Sequence, residues 1–137
     1  MRTLLPLMTA AIVLSQPVSA ADLTISVTNL SEPTGELRWV LFDSEEAYKS
    51  GEQPVMSARN RVDGDSMKIT VHNLPSGSYA VRLFHDANNN GELDSNMVGL
   101  PTEGYGFSNN AGRFGPPSFE DAAFALEDDL QIDIRVR

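Results

Sequence analysis

The sequence predicts an all-β fold, a single antiparallel β-sandwich of about seven short strands with one long ordered loop. Three observations carry this expectation. Apolar residues recur at every second position in one segment after another, as in Leu23, Ile25 and Val27 and again in Tyr79, Val81 and Leu83, the period of a strand with one face buried. Turn-forming Gly, Pro, Asn and Asp interrupt these segments every ~8–12 residues. Nowhere does a helical period persist long enough to build a helical layer, and there is no heptad, internal repeat or low-complexity tract.

Residues 1–20 stand apart from this pattern. Arg2, the apolar run LLPLMTAAIVL and the small residues Val18-Ser19-Ala20 read as a signal peptide cleaved after Ala20. Pro6 and Thr9 interrupt the run, which falls short of the ~20 apolar residues of a spanning helix. Residues 21–137 are then one domain with a single core, periplasmic or secreted. With no cysteine in the chain, packing or a bound ion must hold that core in place of disulfides. Ten Lys and Arg face 19 Asp and Glu, a net charge of −9; loss of Arg2 leaves nine against 19, or −10. Such a surface repels phosphate backbones and anionic lipid and favours divalent cations. The expectation is a monomer with no nucleic-acid partner and no membrane insertion after signal cleavage.

Taken in order, Leu23, Ile25 and Val27 point one way and Thr24, Ser26 and Thr28 the other. Ser31–Gly35 breaks this strand, and Leu37, Trp39 and Leu41 resume the alternation, so the two strands are expected to form a hairpin. Phe42 extends the apolar run on the opposite face, which marks the second strand as central. Asp43 or Ser44 caps a short helical turn through Glu45, Glu46, Ala47 and Tyr48, closed by Gly51. From Val55 to Arg61 the strand is weak, because Met56, Ala58 and Val62 compete for the inward face. Asp63-Gly64 reads as a two-residue hairpin turn before Met67, Ile69 and Val71. Asn73–Gly77 turns the chain into Tyr79, Val81 and Leu83, the strand that delivers His85 and Asp86. Gly99 to Pro117 is too rich in Gly, Asn and Pro for regular structure, yet its aromatic rings speak for order. Phe124 and Leu126 form a short strand, Asp128-Asp129 turns, and Leu130, Ile132, Ile134 and Val136 make the last strand.

The chemistry concentrates in Asp86-x-Asn88-x-Asn90-Gly91-Glu92-x-Asp94. Alternate residues of a tightly curved loop point at a common centre, as the six to eight oxygens around Ca²⁺ require. The expected ligands are the carboxylate of Asp86, the amide oxygens of Asn88 and Asn90, the backbone carbonyl of Glu92, and Asp94 directly or through water. The twelfth position is Met97, so a sixth oxygen must come from Asn96, Glu103, Asp121 or water. Two carboxylates imply weak Ca²⁺ binding, ~10⁻⁴–10⁻³ M. The same residues also make an ordinary tight turn, since Asn and Gly tolerate left-handed backbone and Asx side chains bond their own main chain.

His85 beside Asp86, with Glu103, Glu120 and Asp121 downstream, allows an acid–base reading. No nucleophile elbow, zinc-protease motif, cysteine nucleophile or phosphate loop supports it, and a His that ends a strand commonly bonds a loop carbonyl. His72 alternates outward and is expected in solvent. Tyr105, Phe107, Arg113, Phe114 and Phe119 can form a partner surface, the rings stacking on a sugar or clamping a peptide while Arg113 orients an anion. Alternatively they plug one end of the sandwich, which the entropy lost by exposed rings among flexible residues favours.

The run LPSGSYAVRLFHDANNNGELDSNMVGLPTEGYGFSNNAGRFGPPSFEDAAF resembles the hallmark of a bacterial family of exported proteins known only as a domain of unknown function. Its parts are a Leu-Pro-x-Gly-x-Tyr turn, His-Asp-x-Asn-x-Asn-Gly, Glu-Gly-Tyr-Gly-Phe-Ser-Asn-Asn and an aromatic-Gly-Pro-Pro-x-Phe segment, with Gly35–Ser44 resembling the family's earlier strand. That resemblance brings no activity. Leu74–His85 is similar to prealbumin-like and Cna-B-like modules of extracellular proteins, some with Asp-x-Asn-x-Asn-Gly calcium loops, which implies an immunoglobulin- or prealbumin-like sandwich. The leading expectation is an exported binding or structural module for an unknown protein or carbohydrate, in which Ca²⁺ orders the Asp86–Asp94 loop and the aromatic segment. The alternatives are a hydrolase-type enzyme using His85 with loop carboxylates, and a metal-free envelope module for protein–protein interaction.

Overall fold

The computed structural model describes residues 10–14 and 19–137, so most of the expected signal peptide lies outside the described residues. Eight strands follow in order: β1 (Ala20–Thr28), β2 (Glu36–Phe42), β3 (Met56–Arg61), β4 (Met67–Pro75), β5 (Gly77–Asp86), β6 (Tyr105–Phe107), β7 (Phe124–Leu126) and β8 (Leu130–Arg135). They form a β-sandwich of two sheets, one ordered β4-β1-β8 and the other β3-β2-β5-β6, with β7 beside β6 on the same edge of β5. No helix among the described residues is long and apolar enough to cross a membrane.

The inward residues are those that period two selects. Leu23, Ile25 and Val27 of β1 pack across the core on Leu37, Trp39 and Leu41 of β2 and on Val81 and Leu83 of β5. Each fully buried large aliphatic side chain contributes ~1.5–3 kcal/mol. On β3 the competition for the inward face is settled by Ala58, which packs against the core, with Val62 buried just beyond the strand.

Two expected hairpins are absent. β1 pairs with β4 and β8, while β2 pairs with β3 and β5, so the segment after β1 carries the chain from one sheet to the other. The Asp63-Gly64 segment likewise crosses between sheets instead of joining β3 to β4 as neighbours. The two crossings support each other: Leu30 N–H donates to Asp65 O at 2.9 Å and Val62 N–H donates to Gly35 O at 3.0 Å. Alternation fixes which face a strand buries, and both sheets bury the same kind of face, so edge partners are not determined by it. A further departure is that β8 runs parallel to β1, in register from Leu23↔Leu130 to Thr28↔Arg135.

The segment 99–117 also holds regular structure that its composition conceals. β6 pairs with Arg82–Phe84 of β5 and is followed by a 3-10 turn, Ser108–Asn110. A Cβ at Gly106 would lie 2.7 Å from Ile134 Cγ2, so glycine permits the close approach to β8. Two short helices complete the chain, α1 (Glu45–Ser50) and α2 (Phe119–Ala122). Ser44 caps the first, accepting from Ala47 N–H, and Gly51 closes it at φ 72°. Both lie on the outer face of the five-stranded sheet, where Phe42, Ala47, Tyr48, Ala80 and Ala122 make a second apolar cluster. That cover extends over only one end of the face.

Candidate functional site

The uncovered end of the five-stranded sheet is a groove of about 860 Å³. Its floor follows from strand register, because alternate side chains of neighbouring strands line one face. Arg38, Phe84 and Tyr105 form one cross-strand row, and Val40, Arg82 and Phe107 the next. Leu93, Leu100 and Pro101 of the loop after β5, with Arg113, Phe114 and Pro116 of the loop after β6, supply the walls. The lining contains three arginines and no Asp or Glu, in a chain of net charge −9.

The arginines differ in what surrounds them. Arg38 Nε donates to Asp86 Oδ2 at 2.9 Å, and Arg38 Nη2 is 3.4 Å from Glu36 Oε2. Arg82 lies over the Phe42 ring, 4.7 Å from its centroid, and 5.9 Å from that of Tyr48. Its Nη1 donates to Tyr48 O at 3.5 Å. Arg113 lies over Phe114 at 5.5 Å. Burial pushes the Tyr48 phenol above its ordinary range, opposed by the charge of Arg82, and the phenol donates to Pro117 O at 2.9 Å.

One wall is held by the Asp/Asn loop. Asp86 ends β5 with a fully buried side chain whose Oδ1 accepts from Asn90 N–H at 3.1 Å and whose Oδ2 accepts from Gly91 N–H at 2.8 Å as well as from Arg38. Gly91 has φ 81° and Asn89 φ 57°, the left-handed conformations that Gly and Asn tolerate. Asn88 Nδ2 and Asn90 Nδ2 each donate to Asp94 at 2.6 Å, one to each carboxylate oxygen. These two bonds hold the Asp94 carboxyl below the usual carboxylate range, Asn90 contributing most. Glu103 braces the base, accepting from Ala87 N–H at 2.8 Å and from Asp94 N–H at 3.0 Å. Beyond Asp94 the chain doubles back, Thr102 N–H donating to Asp94 O and Asn96 N–H to Leu100 O, both at 2.8 Å.

The other wall is anchored by the 3-10 turn. Ser108 is buried against β5, accepting from Val81 N–H at 2.9 Å and donating to Ala122 O. Asn109 Nδ2 donates to Ala123 O at 2.8 Å, and Arg135 N–H donates to Asn110 Oδ1 at 2.8 Å. The guanidinium of Arg137 donates to the carbonyls of Ala111 and Gly112.

The structure brings some of the sequence-selected residues together and separates others. Tyr105, Phe107, Arg113 and Phe114 share the groove, Phe114 being 97% exposed. Phe119 does not join them, because α2 turns it onto Tyr48, with ring centroids 5.8 Å apart. Nor do the rings plug an end of the sandwich: with Gly106 facing inward, Tyr105 and Phe107 both face outward beside β5. Asp86, Asn88, Asn90 and Asp94 are clustered by their own hydrogen bonds, and Glu92 N–H donates to Asn90 Oδ1 at 3.0 Å. Asn96 Oδ1 is occupied by the N–H groups of Val98 and Leu100, and Asp121 lies away in α2. His85 is buried, its Nε2 2.6 Å from Thr34 O. His72 is exposed, its Nδ1 3.0 Å from Asp22 Oδ2. Sequence reasoning missed Arg38, Arg82, Val40 and Phe84. Their signal was present, since apolar Val40 and Phe84 occupy outward positions on strands whose inward positions are already apolar.

Among curated proteins, no sequence match is found. Among solved structures, a fimbrial assembly protein from Parabacteroides distasonis aligns over 88% of this chain and 53% of its own, with TM-score 0.46 and 8% sequence identity. The chain thus spans about half the length of that protein. The family described as "uncharacterized protein conserved in bacteria (DUF2141)" has a model that matches residues 25–133. That span runs from β1 into β8 and includes the whole groove, and the chain belongs to this family.

Proposed function

We propose that the protein is an exported binding module that holds a small ligand with an apolar body in the groove on its five-stranded sheet. The observation that carries this reading is the half-covered outer face. α1 and α2 bury one end of it, with Val40 half-buried at the edge of that cluster, whereas Phe84, Tyr105 and Phe107 beyond it are half-buried residues that line the groove between the loop walls. The volume falls in the ~300–1,000 Å³ range of small-ligand sites, which are mostly apolar with a few placed polar groups. Leu93 and Leu100 stand exposed in the wall, where a bound ligand would cover them. The test is titration with a neutral apolar probe, N-phenyl-1-naphthylamine, followed by its fluorescence. Saturable binding of one probe per molecule is expected, weakened roughly tenfold by Leu100→Asn, in line with the ~1.5–3 kcal/mol of a buried leucine. Absence of saturable binding would falsify this reading.

A second reading, a divalent cation in the Asp86–Asp94 loop, is favoured by the two 2.6 Å bonds that gather Asn88 and Asn90 around Asp94. Turning the two amides over would present oxygens to the same centre, at the loss of the bonds that Asn88 Oδ1 and Asn90 Oδ1 accept from Asn90 N–H and Glu92 N–H, and Ca²⁺ would then replace two amide donors. Asp86 would have to give up part of its bonding to Arg38 and the loop amides. Under this reading millimolar Ca²⁺, at about one to ten times the dissociation constant expected for two carboxylates, stabilises the chelated protein by about 0.4–1.4 kcal/mol and raises its unfolding midpoint, and Asp94→Asn abolishes the rise. An unchanged midpoint up to several millimolar leaves the loop as a turn sealed by its own bonds.

A further inference from the structure

The sign of charge in the groove is opposite to that of the molecule around it. Resting on the ligand-binding reading above, we propose that the groove selects a free anionic amphiphile. Its aliphatic or aromatic body would lie on Val40, Phe84 and Phe107, and its carboxylate, phosphate or sulfonate head would be received by Arg82 with Arg113. With 19 Asp and Glu against 10 Lys and Arg in the chain, a lining of three arginines and no acid is a local reversal. Arg38 is already answered by Asp86 and Glu36. Among the described residues, neither Arg82 nor Arg113 has a carboxylate oxygen within 4.0 Å.

Arg82 is the more telling of the two. It is half-buried on the floor, its guanidinium against Phe42 and near Tyr48. A guanidinium carries five N–H donors, and the bond to Tyr48 O, at 3.5 Å, is long. A half-buried guanidinium with a single long bond to protein keeps donors available to an anion that enters the groove. The planar fork fits the paired oxygens of carboxylate or phosphate. The aromatic contacts hold that fork in place beforehand, so less entropy is lost on binding.

Size and charge also choose the source of the ligand. About 860 Å³ suits a small molecule rather than a macromolecular surface. A molecule of net charge −9 is repelled from an anionic bilayer, which favours the free amphiphile over a lipid headgroup in place.

The test is calorimetric titration of the protein with four ten-carbon probes kept below their micelle concentrations: decanoate, decyl sulfate, decanol and decyltrimethylammonium. The two anions are expected to bind one per molecule and at least about tenfold more tightly than decanol, the size of one charge-assisted hydrogen bond, with the cation weakest. Arg82→Gln and, separately, Arg113→Gln should shrink that preference while decanol binding persists. Arg113 is an exposed loop residue, so its variant remains informative if the Arg82 change disturbs packing. Decanol binding as tightly as decanoate, or a preference unaltered in both variants, overturns the anion site and leaves the small-ligand reading standing. If none of the four binds, both fall. Binding to phosphatidylglycerol vesicles, or to an acidic aromatic decapeptide, without binding of free decanoate overturns the proposal in favour of a bilayer or a peptide.

Discussion

Ser108 shows how much of the groove depends on single polar atoms that never reach it. Its hydroxyl lies between β5 and α2, accepting from Val81 N–H and donating to Ala122 O. Alanine at this position leaves a buried amide and a buried carbonyl unsatisfied together. Since a buried group left without its partner costs about 1–3 kcal/mol, Ser108→Ala is expected to lower stability by about that amount in denaturant unfolding, with an unchanged denaturant slope. A change within about 0.5 kcal/mol, the range of ordinary surface substitutions, would show that the hydroxyl does not hold the turn. His85 makes a similar point with less at stake. It was readable from sequence as a strand-end histidine bonded to a loop carbonyl, and its Nε2 meets Thr34 O. The partner of Asp86 was not readable. Arg38 lies 48 positions away, and only the β2–β5 register brings the two together.

At the scale of elements, the loop after β5 is a wall whose stiffness comes from side chains bonding main chain. Asp94 ties it at one point, with a carboxyl held below its ordinary value by the amides of Asn90 and Asn88. A carboxylate with a lowered folded value stabilises above its unfolded value and loses that contribution as pH falls through the folded one. The bracing by Asn88 and Asn90 is therefore expected to be complete above about pH 4, near the reference aspartate value, and to fade below it. In NMR the side-chain amide signals of Asn88 and Asn90 should shift and exchange faster over that acid range, and Asp94→Asn should remove the pH dependence. Signals that titrate identically in the variant would assign the change to another carboxyl. The strands themselves were legible for the reason the loop's bracing was not. Alternation declares a buried face within a few residues, as in Leu23-Thr24-Ile25, while β6 was hidden because Gly104 and Gly106 look like loop residues. Those glycines serve close approach: a Cβ at Gly104 would lie 2.3 Å from Val136 Cγ1. The hairpins expected at Ser31–Gly35 and Asp63-Gly64 failed for a related reason, since turn chemistry marks where a chain reverses and leaves open which sheet it enters.

For the molecule as a whole, the groove exists because a seven-residue strand, β2, carries apolar side chains on both faces while the two short helices are long enough to cover only Phe42 and its surroundings. No stretch of sequence contains that fact. It depends on rows contributed by β2, β5 and β6 and on two loops anchored at different ends of the sheet. Phe42 did announce a covered outer face, and extending the same argument to Val40 and Phe84 would have exposed the remainder. The parallel pairing of β1 with β8 has a kinetic consequence. Val27 meets Ile134 and Leu23 meets Leu130, so the strand at the centre of the smaller sheet must wait for a neighbour more than a hundred positions along the chain. Contacts of such long range close large loops before they stabilise anything, which slows folding relative to a chain of local hairpins. A nascent molecule of this kind remains unfolded for longer, and so remains threadable through a narrow channel for longer, than its small size suggests.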